Sequence, residues 1–196
     1  MGSIIVLASI CFSLGVLLWG LQLERRTANA EANALLDPLT GLFNRRGWDA
    51  LAARESARSK RSGTSMTVIV MDLDGFKLLN DNHGHAHGDD VLKNVASAVH
   101  SVARVNDVVA RLGGDEFALL APDDGNDFSE ALISRLREAL AVVGVAVSCG
   151  YASVAPGCDV AAAMNLADRL MYAEKAARRI ERGHPQRHGA RATTTG

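Results

Sequence analysis

Two periods of hydrophobic repetition run along this chain, and together they lay out its elements. Residues 2–23 carry no charge, and Ile4-Ile5-Val6-Leu7, Leu14 and Val16-Leu17-Leu18 fill about one bilayer-spanning helix. Glu24-Arg25-Arg26 closes that stretch and predicts a single-pass anchor with the rest of the chain on the cytoplasmic side. A signal peptide processed near Ala28-Asn29-Ala30 is the alternative. Residues 24–36 predict a short helical linker whose Ala28, Ala32 and Leu35 form a brief apolar stripe. Asp37-Pro38 then supplies an N-cap and a proline at the first helical position, predicting a helix to about residue 59 and a turn at Ser62-Gly63. Met66 to Met71 is almost unbroken apolar sequence, the mark of a central strand covered on both faces and ending at Asp72.

Further on, Val91, Leu92, Val95, Ala98, Val99 and Val102 recur at helical spacing after Gly88-Asp89. A short strand at Val108-Val109 runs through Arg111 to Gly113-Gly114, with residues 116–120 as its hairpin partner. Pro122 to Asp127 is a polar loop. Residues 128–142 predict a helix, 143–152 a strand and 160–180 a last helix, whereas 182–196 are rich in Gly, His, Arg and Thr and predict a disordered tail. Helices alternating with strands around one hairpin predict an α+β fold: a central mixed, mainly antiparallel sheet flanked by helices. The expected division is 1–23 membrane helix, 24–36 linker, 37–181 folded domain and 182–196 tail.

With 196 residues, there is room for a single domain beside the apolar segment. The 21 Lys plus Arg against 22 Asp plus Glu give a net charge of -1, which gives no support for a nucleic-acid polymer as partner. Cys11, Cys149 and Cys158 lack close metal-ligand spacing and fit a reducing compartment better than a disulfide framework.

The candidate chemistry is acidic. Asp72 and Asp74 stand at the end of the predicted central strand, where their side chains are expected to diverge, one toward a metal and one supporting a turn. Asp115 and Glu116 follow two glycines at a tight turn. With the hairpin beside the first strand, Asp72 and Asp115 share an oxygen-rich site suited to Mg²⁺ and triphosphate oxygens. Lys77 can contact phosphate, and Asn80 and Asp89 can read the donors and acceptor of a guanine edge. Asn80-Asp81 closing a turn is the other reading of that pair.

Several long motifs then occur in one order: Asp37-Pro38-Leu39-Thr40-Gly41-Leu42-Phe43-Asn44-Arg45-Arg46, Asp72-Leu73-Asp74-Gly75-Phe76-Lys77-Leu78-Leu79-Asn80-Asp81, Gly84-His85, Gly88-Asp89, and Arg111-Leu112-Gly113-Gly114-Asp115-Glu116-Phe117. In these the chain closely resembles the GGDEF family of bacterial diguanylate cyclases, over about residues 36–181. The resemblance implies a cyclase or palm-like fold and condensation of two GTP into cyclic di-GMP with release of two pyrophosphates. It implies metal contacts from Asp72, the Leu73 carbonyl and Asp115, with Glu116 a further one, for Mg²⁺ or Mn²⁺. Asp115 is the implied general base and Lys77 the implied stabiliser of phosphate charge. Asn80, His85 and Asp89 take substrate positions.

Lys175 and Arg179 match a basic pair that approaches the triphosphate. Around them the family's Tyr-x-Ala-Lys-x-x-Gly-Arg-Asn becomes Tyr172-Ala173-Glu174-Lys175-Ala176-Ala177-Arg178-Arg179-Ile180, without its Gly and Asn. Arg104-Val105-Asn106-Asp107 fits the Arg-x-x-Asp inhibitory motif that binds cyclic di-GMP as product and inhibitor, with Arg135 as a second-side contact. Each domain would hold one GTP, so a homodimer is implied, located at the bacterial inner membrane by the predicted anchor. The stretch from Phe128 to Ser148 is short for the family, and Trp48 stands where Phe is usual. The competing reading is a catalytically inactive GTP or cyclic di-GMP-binding signalling module. A cyclase of another purine fits Asn80 and Asp89 less well.

Overall fold

The computed structural model describes Trp19, residues 35–123, Gly125 and residues 128–181. The chain divides into Met1–Leu36 and Asp37–Gly196, and every element below belongs to the second unit. Helix α1 spans Arg45–Ser62 and starts later than predicted. Asp37 does not cap it. Its carboxylate accepts the Thr40 N–H at 2.9 Å and the Thr40 hydroxyl at 2.6 Å, which closes a local turn instead. The chain then lays Phe43 beside Ala110 in an isolated parallel bridge, and Asn44 caps α1 by accepting the Gly47 N–H. Gly63, at φ 69°, ends the helix at the expected turn.

Strand β1 (Met66–Leu73) is buried along its whole length. It lies between β3 (Glu116–Pro122) and β4 (Val147–Val154), and β2 (Val108–Gly113) pairs with β3, giving the order β2-β3-β1-β4. All three ladders are antiparallel. The α+β class and the mainly antiparallel sheet are therefore as expected. Between β1 and β2 run α2 (Phe76–His83) and α3 (His85–Val102), separated by Gly84 at φ 82°. The sequence pattern placed one helix after Gly88 and a possible turn at Asn80-Asp81; Asn80 and Asp81 instead lie within α2, and α3 begins already at His85, past the break at Gly84. Helix α4 (Phe128–Val143) reaches β4 through Gly144, Val145 and Ala146, so β4 begins later than predicted and forms a sheet edge. Helix α5 (Val160–Glu181) closes the fold.

A strand's two-residue period sorts β1 between two cores. Ile69, Met71 and Leu73 pack with Phe117 and Leu119 beneath α3 and α4. Val68 and Val70 pack with Ala118, Leu120, Trp48, Ala167 and Met171 beneath α1 and α5. Trp48 is 2% exposed and fills its pocket as its size predicts. Gly150 decides how near α5 comes: a Cβ there would lie 1.9 Å from the Ala167 carbonyl oxygen and 2.3 Å from the Met171 nitrogen. Backbone thus meets backbone where α5 crosses β4.

The expected membrane span requires correction. No helix among the described residues is long and apolar enough to cross a membrane. The longest, α5, carries Asp168, Arg169, Glu174, Lys175, Arg178 and Arg179, charges too costly for a bilayer interior. The predicted span, residues 1–23, lies outside the described residues apart from Trp19, and the described residues give the single-pass anchor, the membrane as partner and the inner-membrane location no support. The predicted linker at 24–36, apart from Leu35 and Leu36, and the predicted tail at 182–196 also lie outside the described residues.

Candidate functional site

The site grows from the register of β1. Asp72 pairs with Glu116 on one side and Ser148 on the other, so all three side chains emerge on the face covered by α1 and α5. Asp74, two residues on, emerges on that same face. The predicted divergence of the two acids is therefore wrong, since a period of two keeps them together. They differ in partner. Lys175 Nζ donates to Asp72 Oδ1, whereas Asp74 accepts the Ser148 hydroxyl at 2.7 Å and lies 3.5 Å from Arg178 Nη1. Glu116 turns toward α1, 3.9 Å from Arg45, and its side chain is 48% exposed.

The hairpin brings Asp115 to the end of β1, where its carbonyl accepts the Leu73 N–H at 3.3 Å. Gly113, at φ 155°, and Gly114, at φ 48°, form the turn, and only glycine takes the first of these conformations without strain. Arg111 fastens it. Its Nε and Nη2 donate to the Gly114 carbonyl at 3.0 and 2.7 Å, while Nη1 reaches Asp37 at 3.1 Å. Burial pushes the Asp37 carboxyl up, but the hydrogen bonds from Thr40 and Arg111 and the charge of Arg111 outweigh it and hold the group below its ordinary value. Sequence reasoning gave Asp37 and Arg111 no such task. The signal was their presence in two of the quoted motifs, but nothing in sequence pairs positions 74 apart.

A cleft of about 530 Å³ opens beside these strand ends, lined by Leu73, Asp74, Lys77, Asp81, Asp115, Lys175, Arg178 and Arg179 among others. Leu73, Lys77, Asp115, Lys175 and Arg179 are thus brought together, with Asp72 adjoining through Lys175. For Asp72, burial raises the pKa, and the charges of Asp115 and Asp74 add to it. Lys175 opposes them, yet the group stays above its ordinary value. The cleft therefore holds carboxylates and cations side by side, with Lys175 on Asp72 and Arg178 near Asp74.

The remaining predicted residues stand outside this lining. Gly88 lies under Asn80: a Cβ there would come 1.8 Å from the Asn80 amide oxygen, which is buried without a hydrogen-bond partner. Asp89 follows on α3, and it and His85 are exposed. Arg104 and Asp107 fold into one turn, with the Arg104 N–H donating to Asp107 Oδ2 at 2.7 Å and the guanidinium 5.1 Å above the Phe128 ring. Arg135 is exposed on α4. Glu174, Arg137 and Ser148, to which sequence reasoning gave no task, join α4, β4 and α5 behind the cleft.

The family model for "Diguanylate cyclase, GGDEF domain" matches residues 34–181. Diguanylate cyclase DgcP of Pseudomonas aeruginosa is 43% identical over 108 residues, covering 55% of this chain and 16% of DgcP. Diguanylate cyclase VdcA of Vibrio cholerae is 31% identical over 166 residues, covering 79% of this chain and 48% of VdcA. The chain thus spans less than half the length of both relatives. The coiled coil and GGDEF domain of DgcB from Caulobacter crescentus, solved in complex with c-di-GMP, superposes with a TM-score of 0.74 at 30% identity, covering 80% of this chain and 88% of that one. Taken with the strand-end acids, the braced double-glycine turn and the four-stranded sheet, these matches make the chain a member of the GGDEF diguanylate cyclase family.

Proposed function

We propose that the protein is a diguanylate cyclase that joins two GTP molecules into cyclic di-GMP and two pyrophosphates across a homodimer of these domains. The observation that carries this reading is the cleft where Asp115 and the end of β1 face Lys77, Lys175 and Arg179. Carboxylates interleaved with cations suit a polyphosphate accompanied by a divalent metal.

The donor set fits Mg²⁺ or Mn²⁺. Asp72, the Leu73 carbonyl and Asp115 offer hard oxygens, and Asp72 and Asp115 are close enough for the Asp115 charge to act on Asp72. No group of three His, Cys, Asp or Glu among the described residues forms a complete cage. That agrees with an ion held by one or two carboxylates and by the nucleotide's own phosphates. Glu116, turned toward Arg45, is the weaker candidate. When bound, the metal offsets phosphate charge and polarises the α-phosphoryl oxygens.

Lys77, Lys175 and Arg179 bind and orient the triphosphate. Asn80 and Asp89 take the guanine and His85 a further part of the substrate, which requires the Asn80 amide oxygen, buried against Gly88, to turn outward on binding. Asp115 accepts the proton of an incoming 3′-hydroxyl. The 3′-oxygen then bonds to the α-phosphorus of the facing GTP, the bond to the β-phosphate oxygen breaks, and pyrophosphate leaves. A second, symmetric attack closes the ring. The Arg104–Asp107 turn, with Arg135 on α4, is the product site for feedback inhibition.

Purified protein incubated with GTP and Mg²⁺ is expected to yield cyclic di-GMP and pyrophosphate in a 1:2 ratio, and Asp115→Ala is expected to abolish both. Folded protein that makes no product at high concentration would leave a GTP or cyclic di-GMP receptor as the better reading. Arg104→Ala is expected to keep turnover while relieving inhibition by added product.

A further inference from the structure

Two positions on α5 carry charge where the family pattern has small residues: Glu174 stands in place of Ala and Arg178 in place of Gly. One helical turn apart, they face each other, and Arg178 Nη2 lies 2.6 Å from Glu174 Oε1. Glu174 is itself anchored behind the cleft. Arg137 Nη2 on α4 donates to both its oxygens at 3.0 Å, and the Cys149 N–H on β4 donates to Oε2 at 3.0 Å. Around this carboxylate, burial pushes the Cys149 thiol up to about 12 and the Glu174 charge adds to that, so the thiol stays protonated.

Arg178 forms a wall common to two spaces. It lines the cleft, and from behind it lines a cavity of about 330 Å³ shared with Arg137 and residues 144–147. Its side chain is 28% exposed, and its other contact is Asp74 at 3.5 Å. Cut loose from Glu174, the guanidinium would have the Asp74 carboxylate on one side and the phosphate space between Lys175 and Arg179 on the other. A polyphosphate carries more negative charge than one carboxylate.

We infer that Glu174 is a positioning residue: it holds Arg178 in the cleft wall, neutralised, and keeps a surplus cation off the phosphates. The inference rests on the reading of the cleft as a triphosphate site. A free Arg178 would strengthen binding of GTP and pyrophosphate alike, and so slow release without helping the reacting phosphorus.

The test compares wild type, Glu174→Ala, Glu174→Gln and the double variant Glu174→Ala/Arg178→Gly. It measures Kd for GTP and for pyrophosphate with Mg²⁺, together with kcat and KM. Glu174→Ala is expected to tighten both Kd values about tenfold and lower kcat about tenfold, the scale of one charge-assisted hydrogen bond gained to bound phosphate. Glu174→Gln, which keeps the shape, is expected to fall between it and wild type. The double variant is expected to return to within about threefold of wild type, because the arginine that lines the cleft is gone, while Arg137, which also loses Glu174, lines only the cavity behind it. Weaker or unchanged binding in Glu174→Ala, in protein that melts as wild type does, overturns the inference, as does a double variant no better than the single. Wild type that binds GTP but forms no cyclic di-GMP removes the cyclase reading and leaves this inference to be judged on the Kd values. Wild type that binds no GTP removes both.

Discussion

The two sides of the cleft are built by different physics. At the hairpin, backbone conformation does the placing: Gly113 and Gly114 turn the chain, and Arg111 ties the Gly114 carbonyl to Asp37 with a side chain only 13% exposed. At α5, side-chain charge does it, with Lys175 on Asp72 and Arg178 on Asp74 and Glu174. The hairpin side fixes its acid through a rigid turn that leaves Asp115 open to the cleft. The α5 side satisfies its acids with cations that a nucleotide also wants, so substrate and fold compete for the same groups. One side is suited to chemistry that needs a fixed atom, the other to binding and release.

Breaking the approach of α5 should have the largest effect. Gly150→Ala places a methyl group against helix backbone that cannot step aside, so about 3 kcal/mol of stability is expected to be lost in urea unfolding. Lys175 should lose its reach to Asp72 at the same time, raising KM. Unchanged stability would mean that α5 is free to shift. On the hairpin side, Arg111→Ala leaves Asp37 and the Gly114 carbonyl without their shared donor, and about 1–3 kcal/mol is expected to go. Its activity should fall through kcat, since Asp115 rides on that turn. A change confined to KM would erase the contrast between the two sides.

Smaller still are the effects of pH, which have opposite signs on the two sides. Asp37 is held below its ordinary value of 3.8, so its contribution to stability is present above that pH and is lost as the pH falls through the lowered value. Asp37→Asn should flatten the acid limb of the stability curve. Asp72 is raised above 3.8, so its contribution is present below 3.8 and is lost as the pH rises through the raised value. Asp72→Asn is therefore expected to be slightly more stable than wild type at neutral pH, measured by thermal unfolding, while losing turnover. Equal acid limbs for the two variants would show that the walls are not held differently.

By itself the sequence determined the central strand, the amphipathic helices after it and the hairpin around the two glycines, because hydrophobic period and turn chemistry are local and survive without knowledge of partners; the family came from the resemblance of its ordered motifs. It misplaced the start of α1, since Asp37 has the residue type of a cap but spends its carboxylate on Thr40 and Arg111. It began a helix only after Gly88 and so missed the helix over 76–83 and the first turn of the next, and it expected the side chains of Asp72 and Asp74 to diverge. Only the tertiary structure decided that Lys175 meets Asp72 across 103 positions, that Gly150 admits α5, and that Glu174 gathers Arg137, Arg178 and the Cys149 N–H around one carboxylate. Charge pairing and close packing depend on distances through space, and nothing in the order of residues encodes those until the sheet sets which strand ends are neighbours.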